Sequence, residues 1–113
     1  VKDVIACDSK GIVSRHRTDL NEEKIQLLDY TNKENIGGSL QDALMGADVF
    51  IGVSKGNLLT AADVRTMAKD AIIFALANPI PEIMPEEALK GGAAIVGTGR
   101  SDLPNQTYSL NLT

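Results

Sequence analysis

The stretch Ile72 to Glu82, IIFALANPIPE, constrains the fold more than any other part of this chain. Its first six residues, Ile72 to Ala77, are all apolar, with β-branched and aromatic members at the front. Such a run predicts a strand buried on both faces of a parallel sheet. The run stops at Asn78. Pro79 has no N–H to give to a ladder and disfavours helical angles at Asn78, and Pro81 repeats the restriction, so the chain has to leave the sheet there. An amide side chain is thereby fixed at the carboxyl end of a central strand, the edge at which open α/β sheets bind ligands.

The rest of the chain can be arranged around that strand. Val4 to Cys7 is a short apolar run that ends on Asp8, and Ser9, Lys10 and Gly11 follow with turn chemistry, which predicts a buried strand with an acid at its tip. Asn21 then precedes a helix over 22–30, with Glu22 and Glu23 in its first turn, where the helix dipole favours them, and Ile25, Leu27 and Leu28 on one side. Residues 31–38 are polar and end in glycine, hence a loop. Ser39 stands three residues before Asp42, a cap spacing that opens a short helix, Leu40 to Met45, closed by Gly46. Val49 to Val53, VFIGV, is a second apolar strand. Thr60 and Asp63 repeat the cap spacing before a helix over 61–69 whose Val64, Met67 and Ala68 face the sheet. After the strand at 72–77, Pro85 suits the first position of a further helix, with Gly91 and Gly92 past its end, and Ala93 to Val96 is a fourth strand ending at Gly97 to Arg100.

Strands alternating with helices predict an α/β fold, a parallel sheet with right-handed crossovers and helices on its faces. All four strand tips would then lie along one rim. The polar residues beyond Asp102 carry no pattern, and the tail is expected to be disordered.

Composition narrows the function classes. The chain's 113 residues, 43% hydrophobic and 23% charged, suit one small soluble domain. No apolar run approaches a membrane span, so a cytoplasmic protein is expected. A net charge of −4 leaves no electrostatic footprint for nucleic acid, and Arg15, His16 and Arg17 are too short a cluster to supply one, reading instead as a solvated loop. The single cysteine, Cys7, reads as a buried strand thiol. No spacing of metal ligands and no glycine-rich phosphate loop is present.

The candidate site residues are therefore those at the strand tips. An acid such as Asp8, at the end of the second strand of a dinucleotide fold, accepts both hydroxyls of the adenosine ribose and repels a 2′-phosphate, which favours NAD over NADP. The plainer role is capping a turn, and position alone leaves both open. Lys10 and Arg15, close by in sequence, could offset the repulsion. Gly52 lets a backbone approach a ligand or is simply tolerated in a strand; Ser54, beyond Val53, can donate to a phosphate or ribose. Asn78 both donates and accepts, which suits a hydroxy-carboxylate or the nicotinamide ribose, although Asn-Pro is usually just a turn.

Four segments, VIACDSKGIV, ADVFIGVSKGNLLT, IIFALANPIPE and AIVGTGRSDLPNQ, in this order, make the chain resemble the NAD-binding domain of bacterial malic enzymes, the malate oxidoreductases that decarboxylate. The resemblance runs over residues 1–106, leaving 107–113 as a tail. It implies a partial Rossmann-like parallel sheet with flanking helices, lacking the first strand and its glycine-rich turn. It further implies that Asp8 holds the cofactor ribose, that Gly52, Val53 and Ser54 pass along the cofactor, and that Asn78 contacts malate near the nicotinamide. The family's paired asparagines after PNQ correspond here to Tyr108 and Ser109, so that role is not carried over. In the family the catalytic tyrosine and lysine and the ligands of a divalent metal, Mg or Mn, lie upstream, and none is in this sequence. The reaction implied is hydride transfer from C2 of malate to NAD followed by loss of carbon dioxide. The chain alone is expected to be inactive. Without the first strand, the Asp8 strand would lack a neighbour, so it is expected to shift, to pair with a second copy as a homodimer, or to be complemented by another chain.

Two other readings compete. One is an α/β binding or assembly module that keeps subunit contacts but neither binds cofactor nor turns over. The other, a phosphoacceptor using Asp8, lacks the further acids and the lysine that a magnesium site of that kind needs.

Overall fold

The computed structural model describes residues 3–99 and the backbone of Tyr108 and Ser109. The chain forms two compact units, Val1–Ala43 and Leu44–Thr113.

In the first unit, β1 (Cys7–Asp8) pairs antiparallel with β2 (Gly11–Ile12), Cys7 opposite Ile12 and Asp8 opposite Gly11. Ser9 and Lys10 make the turn, and Gly11, at φ +114, takes a backbone angle that other residues rarely adopt. The pairing continues through the Val13 N–H, which donates to the Ala6 carbonyl at 2.8 Å. The Asp8 strand thus does not run in the parallel sheet. A two-residue turn brings this strand a backbone partner from its own chain. Burial follows the pairing: Ile12 and Val13 are 1% and 2% exposed, whereas Val4 is 49% exposed and Cys7 only half-buried.

Helix α1 (Glu22–Leu27) starts where the Asn21 side chain accepts the Lys24 N–H at 2.9 Å, and Leu28 at its end is buried while Ile25 and Leu27 are exposed. Asn32, fully buried, replaces regular structure in the loop that follows. Its Nδ2 donates to the carbonyls of Val13 (3.1 Å) and Ile36 (2.8 Å), and its Oδ1 accepts the Ile36 N–H (2.7 Å). Helix α2 (Leu40–Leu44) carries the Ser39–Asp42 cap read from the sequence, each residue's backbone N–H donating to the other's side chain.

The second unit is a parallel sheet in the order β3 (Val49–Gly52), β4 (Ile72–Ala75), β5 (Ile95–Thr98), β6 (Tyr108–Ser109). Helices α3 (Ala61–Arg65) and α4 (Pro85–Lys90) fill the crossovers, α3 behind a complete Thr60–Asp63 capping box and α4 with Pro85 in its first turn. They pack on each other where Gly91 stands against Val64. Register places Phe50, Ile73 and Val96 in one row, all buried. On the opposite face Val49 and Ile51 of β3, and Val53 just beyond it, are 47%, 64% and 76% exposed. A run of apolar residues had predicted burial on both faces. As the last strand of the described sheet, β3 instead alternates.

Strand β5 begins two residues later than the apolar run, and just before it the Ala94 N–H donates to the Ala71 carbonyl (2.8 Å). Strand β6 lies in what reads as an unpatterned tail. Its pairing, Gly97 with Tyr108 and Thr98 with Ser109, is long-range and two residues long, too short for a periodic signal. The rest of the tail and the Arg100–Asp102 part of the turn lie outside the described residues. No helix among the described residues is long and apolar enough to cross a membrane.

Candidate functional site at the carboxyl edge of the sheet

Strand-end chemistry in the second unit is organised by a buried acid. Beyond β4 the Leu76 N–H donates to the Gly52 carbonyl (2.8 Å), which carries the β3–β4 pairing up to the rim. There the Ala77 N–H donates to Glu82 Oε1 at 3.0 Å and the Ser54 N–H donates to Glu82 Oε2 at 2.9 Å. Glu82 is 0% exposed. Two backbone bonds lace the same loops, from the Asn57 N–H to the Pro81 carbonyl (3.0 Å) and from the Leu59 N–H to the Glu82 carbonyl (2.9 Å). Val53, Ser54 and Asn78 stand exposed on the rim so formed, with a cis peptide bond between Asn78 and Pro79.

Gly52 acquires a reason that the sequence did not supply. A Cβ there would lie 2.5 Å from Glu82 Oε2 and 2.7 Å from the Phe50 ring, distances that real Cβ atoms do not show. Its bare Cα makes room for the acid and the ring, not only for a ligand.

Of the four tips, three follow strands of the parallel sheet, at Gly52, at Ala75 ahead of Asn78 and at Thr98, and the fourth, Asp8, ends β1 in the first unit. Gly52, Val53, Ser54 and Asn78 share the carboxyl edge of the parallel sheet, whereas Asp8 belongs to the hairpin of the first unit. Arg17 donates to both of its oxygens, Nη1 to Oδ1 at 2.8 Å and Nη2 to Oδ2 at 3.0 Å. Lys24 Nζ reaches Oδ2 at 2.8 Å and the Lys10 N–H reaches Oδ1 at 2.9 Å. A carboxylate offers about four acceptor positions, and all are engaged. The Arg17 hydrogen bonds, with smaller help from Lys24 and the Lys10 N–H, hold the Asp8 carboxyl well below the usual carboxylate range. Arg17 also pairs with Asp19 at 2.8 Å, and Lys10 Nζ approaches Asp19 at 3.4 Å. Three cations therefore face two carboxylates. Arg15 takes no part, since its guanidinium donates to the carbonyls of Asn32 and Leu28.

Sequence reading missed Glu82, Arg17 and Lys24. Glu82 was read only as the end of the stretch IIFALANPIPE, and Arg17 stood in a cluster that read as solvated, although its side chain is only 16% exposed.

A parallel sheet with helical crossovers and exposed polar groups at its carboxyl edge defines a Rossmann-like, dinucleotide-binding type of domain. The chain belongs to the malic enzyme NAD-binding domain family, whose model, described as "Malic enzyme, NAD binding domain", matches residues 1–111. It is 53% identical over 111 residues to a bifunctional malic/malolactic enzyme of Bacillus subtilis, covering 97% of this chain and 27% of that protein. To an NADP-dependent malic enzyme of Rhizobium meliloti it is 49% identical over 111 residues, covering 96% and 14%. The crystal structure of an NAD-dependent malic enzyme from Thermotoga maritima superposes with a TM-score of 0.86 at 51% identity, over 96% of this chain and 29% of that one. The chain thus spans about a quarter of the length of the Bacillus subtilis relative.

Proposed function

We propose that this chain is the dinucleotide-binding part of a cytoplasmic malic enzyme that oxidises and decarboxylates malate to pyruvate and carbon dioxide with reduction of NAD. The observation that carries this reading is the family match over residues 1–111, on a fold whose carboxyl edge leaves Ser54 and Asn78 exposed for a ligand. When bound, the nicotinamide accepts hydride from C2 of malate. This chain's residues bind and orient: Asp8 accepts from the adenosine ribose, the segment Gly52 to Ser54 lines the cofactor, and Asn78 hydrogen-bonds malate.

To receive ribose hydroxyls Asp8 has to exchange a donor, and Lys24, whose side chain is 37% exposed, is the one free to leave. The surplus of one positive charge around Asp8 weakens its repulsion of a 2′-phosphate. Choice between NAD and NADP, over which the relatives' names also divide, is therefore a matter for titration. No group of three or more His, Cys, Asp or Glu among the described residues could hold a metal ion, so no step is assigned to one here. Assembly is proposed as a homodimer or with a complementing chain.

The test is calorimetric titration of NAD and NADP into the wild-type chain, Asp8→Ala and Asn78→Ala. Binding by the wild type that weakens in Asp8→Ala is expected. A wild-type chain that binds neither dinucleotide favours the assembly-module reading. Malate-dependent NAD reduction with Mg²⁺ or Mn²⁺ is expected to be absent from the chain alone, and clear turnover would refute that part.

A further inference from the structure

We infer that Glu82 is a positioning residue: its two carboxylate oxygens set the geometry between the β3 and β4 ends and so fix where Ser54 and Asn78 are presented. Each oxygen accepts one backbone N–H, Oε1 that of Ala77 and Oε2 that of Ser54. Ala77 immediately precedes Asn78, and Ser54 is itself a rim residue, so a single side chain spans the two segments that carry the exposed polar groups. The side chain is wholly enclosed, and its backbone carbonyl is used as well, by the Leu59 N–H. Gly52 and Phe50 wall it in on the β3 side.

The need for this residue follows from the strand ends. Parallel strands that end at a rim leave N–H groups pointing past their last partner, and a buried N–H without an acceptor costs about 1–3 kcal/mol. Backbone carbonyls of the following turn usually take them. Here a side chain with two acceptor oxygens in a fixed fork meets both donors at once. A glutamine cannot do this: its amide nitrogen would face an N–H, donor against donor. Aspartate is a methylene shorter and cannot span the same gap without pulling the loops together. Glu82 touches no reacting atom in this account. It acts through Ser54 and Asn78, and only its ligand-binding consequence rests on the function proposed above.

The experiment compares two-dimensional ¹⁵N–¹H spectra and dinucleotide affinity of the wild-type protein, Glu82→Gln and Gly52→Ala. Glu82→Gln removes one acceptor at constant volume. Gly52→Ala keeps the acid but drives a Cβ against Oε2, and serves as the second perturbation should Glu82→Gln fail to fold. The expected result is that both variants shift the backbone amides of Ser54 and Ala77 and the side-chain amide of Asn78, leave the α4 amides in place, and weaken NAD binding by about tenfold or more, as displaced binding groups do. Reporter amides that stay put in a folded variant overturn the inference, whatever the ligand does. Shifted amides with wild-type affinity also overturn it, because the rim geometry would then not be what the ligand reads. If the wild type binds no dinucleotide while the three reporters shift together, the positioning stands and the proposed function falls.

Discussion

Replacing Asp8 by asparagine isolates the contribution of its charge. The side chain keeps its shape and one acceptor oxygen but loses the ion pairs with Arg17 and Lys24. A hydrogen bond to a charged group is worth about 1.5–3 kcal/mol when shielded, and an exposed ion pair less than about 1. Side chains of 17% and 16% exposure place the Asp8–Arg17 pair between these limits, so Asp8→Asn should cost the first unit about 1–2 kcal/mol at neutral pH. The sign of the pH dependence follows from the direction of the shift. Because the folded carboxyl ionises well below its unfolded value of about 3.9, its stabilisation is complete above about pH 5. It begins to fade as the pH falls through about 4, and goes on fading until the folded carboxyl is itself protonated. The Val13 N–H, bonded to Ala6, gives a local readout by hydrogen exchange. The wild-type to Asp8→Asn gap in protection should be level from pH 7 to 5 and narrow below that. A gap missing at pH 7, or one that widens on acidification, would refute the reasoning.

Ile73, fully buried in the middle strand, should lose about 2–5 kcal/mol on truncation to alanine in urea unfolding followed at second-unit amides; a loss under about 1 would mean that the row it shares with Phe50 and Val96 is not the core. Thr60→Ala removes the acceptor of the Asp63 N–H at the start of α3 and should cost about 1 kcal/mol in the same assay, with Thr60→Ser restoring most of it. Cys7 should alkylate more slowly at about pH 8 than a free cysteine, because burial first and the Asp8 charge second push its thiol up; Asp8→Asn should recover only the smaller part of the difference. Equal rates in all three would show that the thiol is unshielded.

What could be read from the sequence is what neighbours in the chain decide. The caps at Ser39 and Thr60 close within three residues and are present as read, and Asn21, read as preceding α1, caps it. Apolar runs located β3 and β4, and the strand–helix alternation led to a parallel sheet, as β3, β4 and β5 form. The same apolar rule misplaced β1, because VIAC and VFIGV are alike as strings and differ only in which backbone stands beside them. Strand β6 was illegible for the related reason that its partner, β5, lies about ten residues back and only two residues pair. Function was split in the same way. Ser54 and Asn78 could be placed at strand ends from local patterns, but nothing near Asp8 in sequence announced that Lys24, sixteen residues on, would share its carboxylate.

Glu82 shows why charge is a poor guide to exposure at a rim. Counted as a residue type it belongs outside, and the flanking prolines strengthen that expectation. Counted by backbone supply and demand it belongs inside, since the N–H groups of Ser54 and Ala77 need acceptors and the two prolines remove none of that need. Once the acid is enclosed, residue 52 has to be glycine, since any side chain would strike Oε2 or the Phe50 ring. The requirement then runs in one direction, from the break at Asn78 to the acid, and from the acid to the glycine on the adjacent strand. A glycine that looks like room for a cofactor is thus needed first by the protein's own acid and ring, and the exposed polar groups at this edge are Ser54 and Asn78.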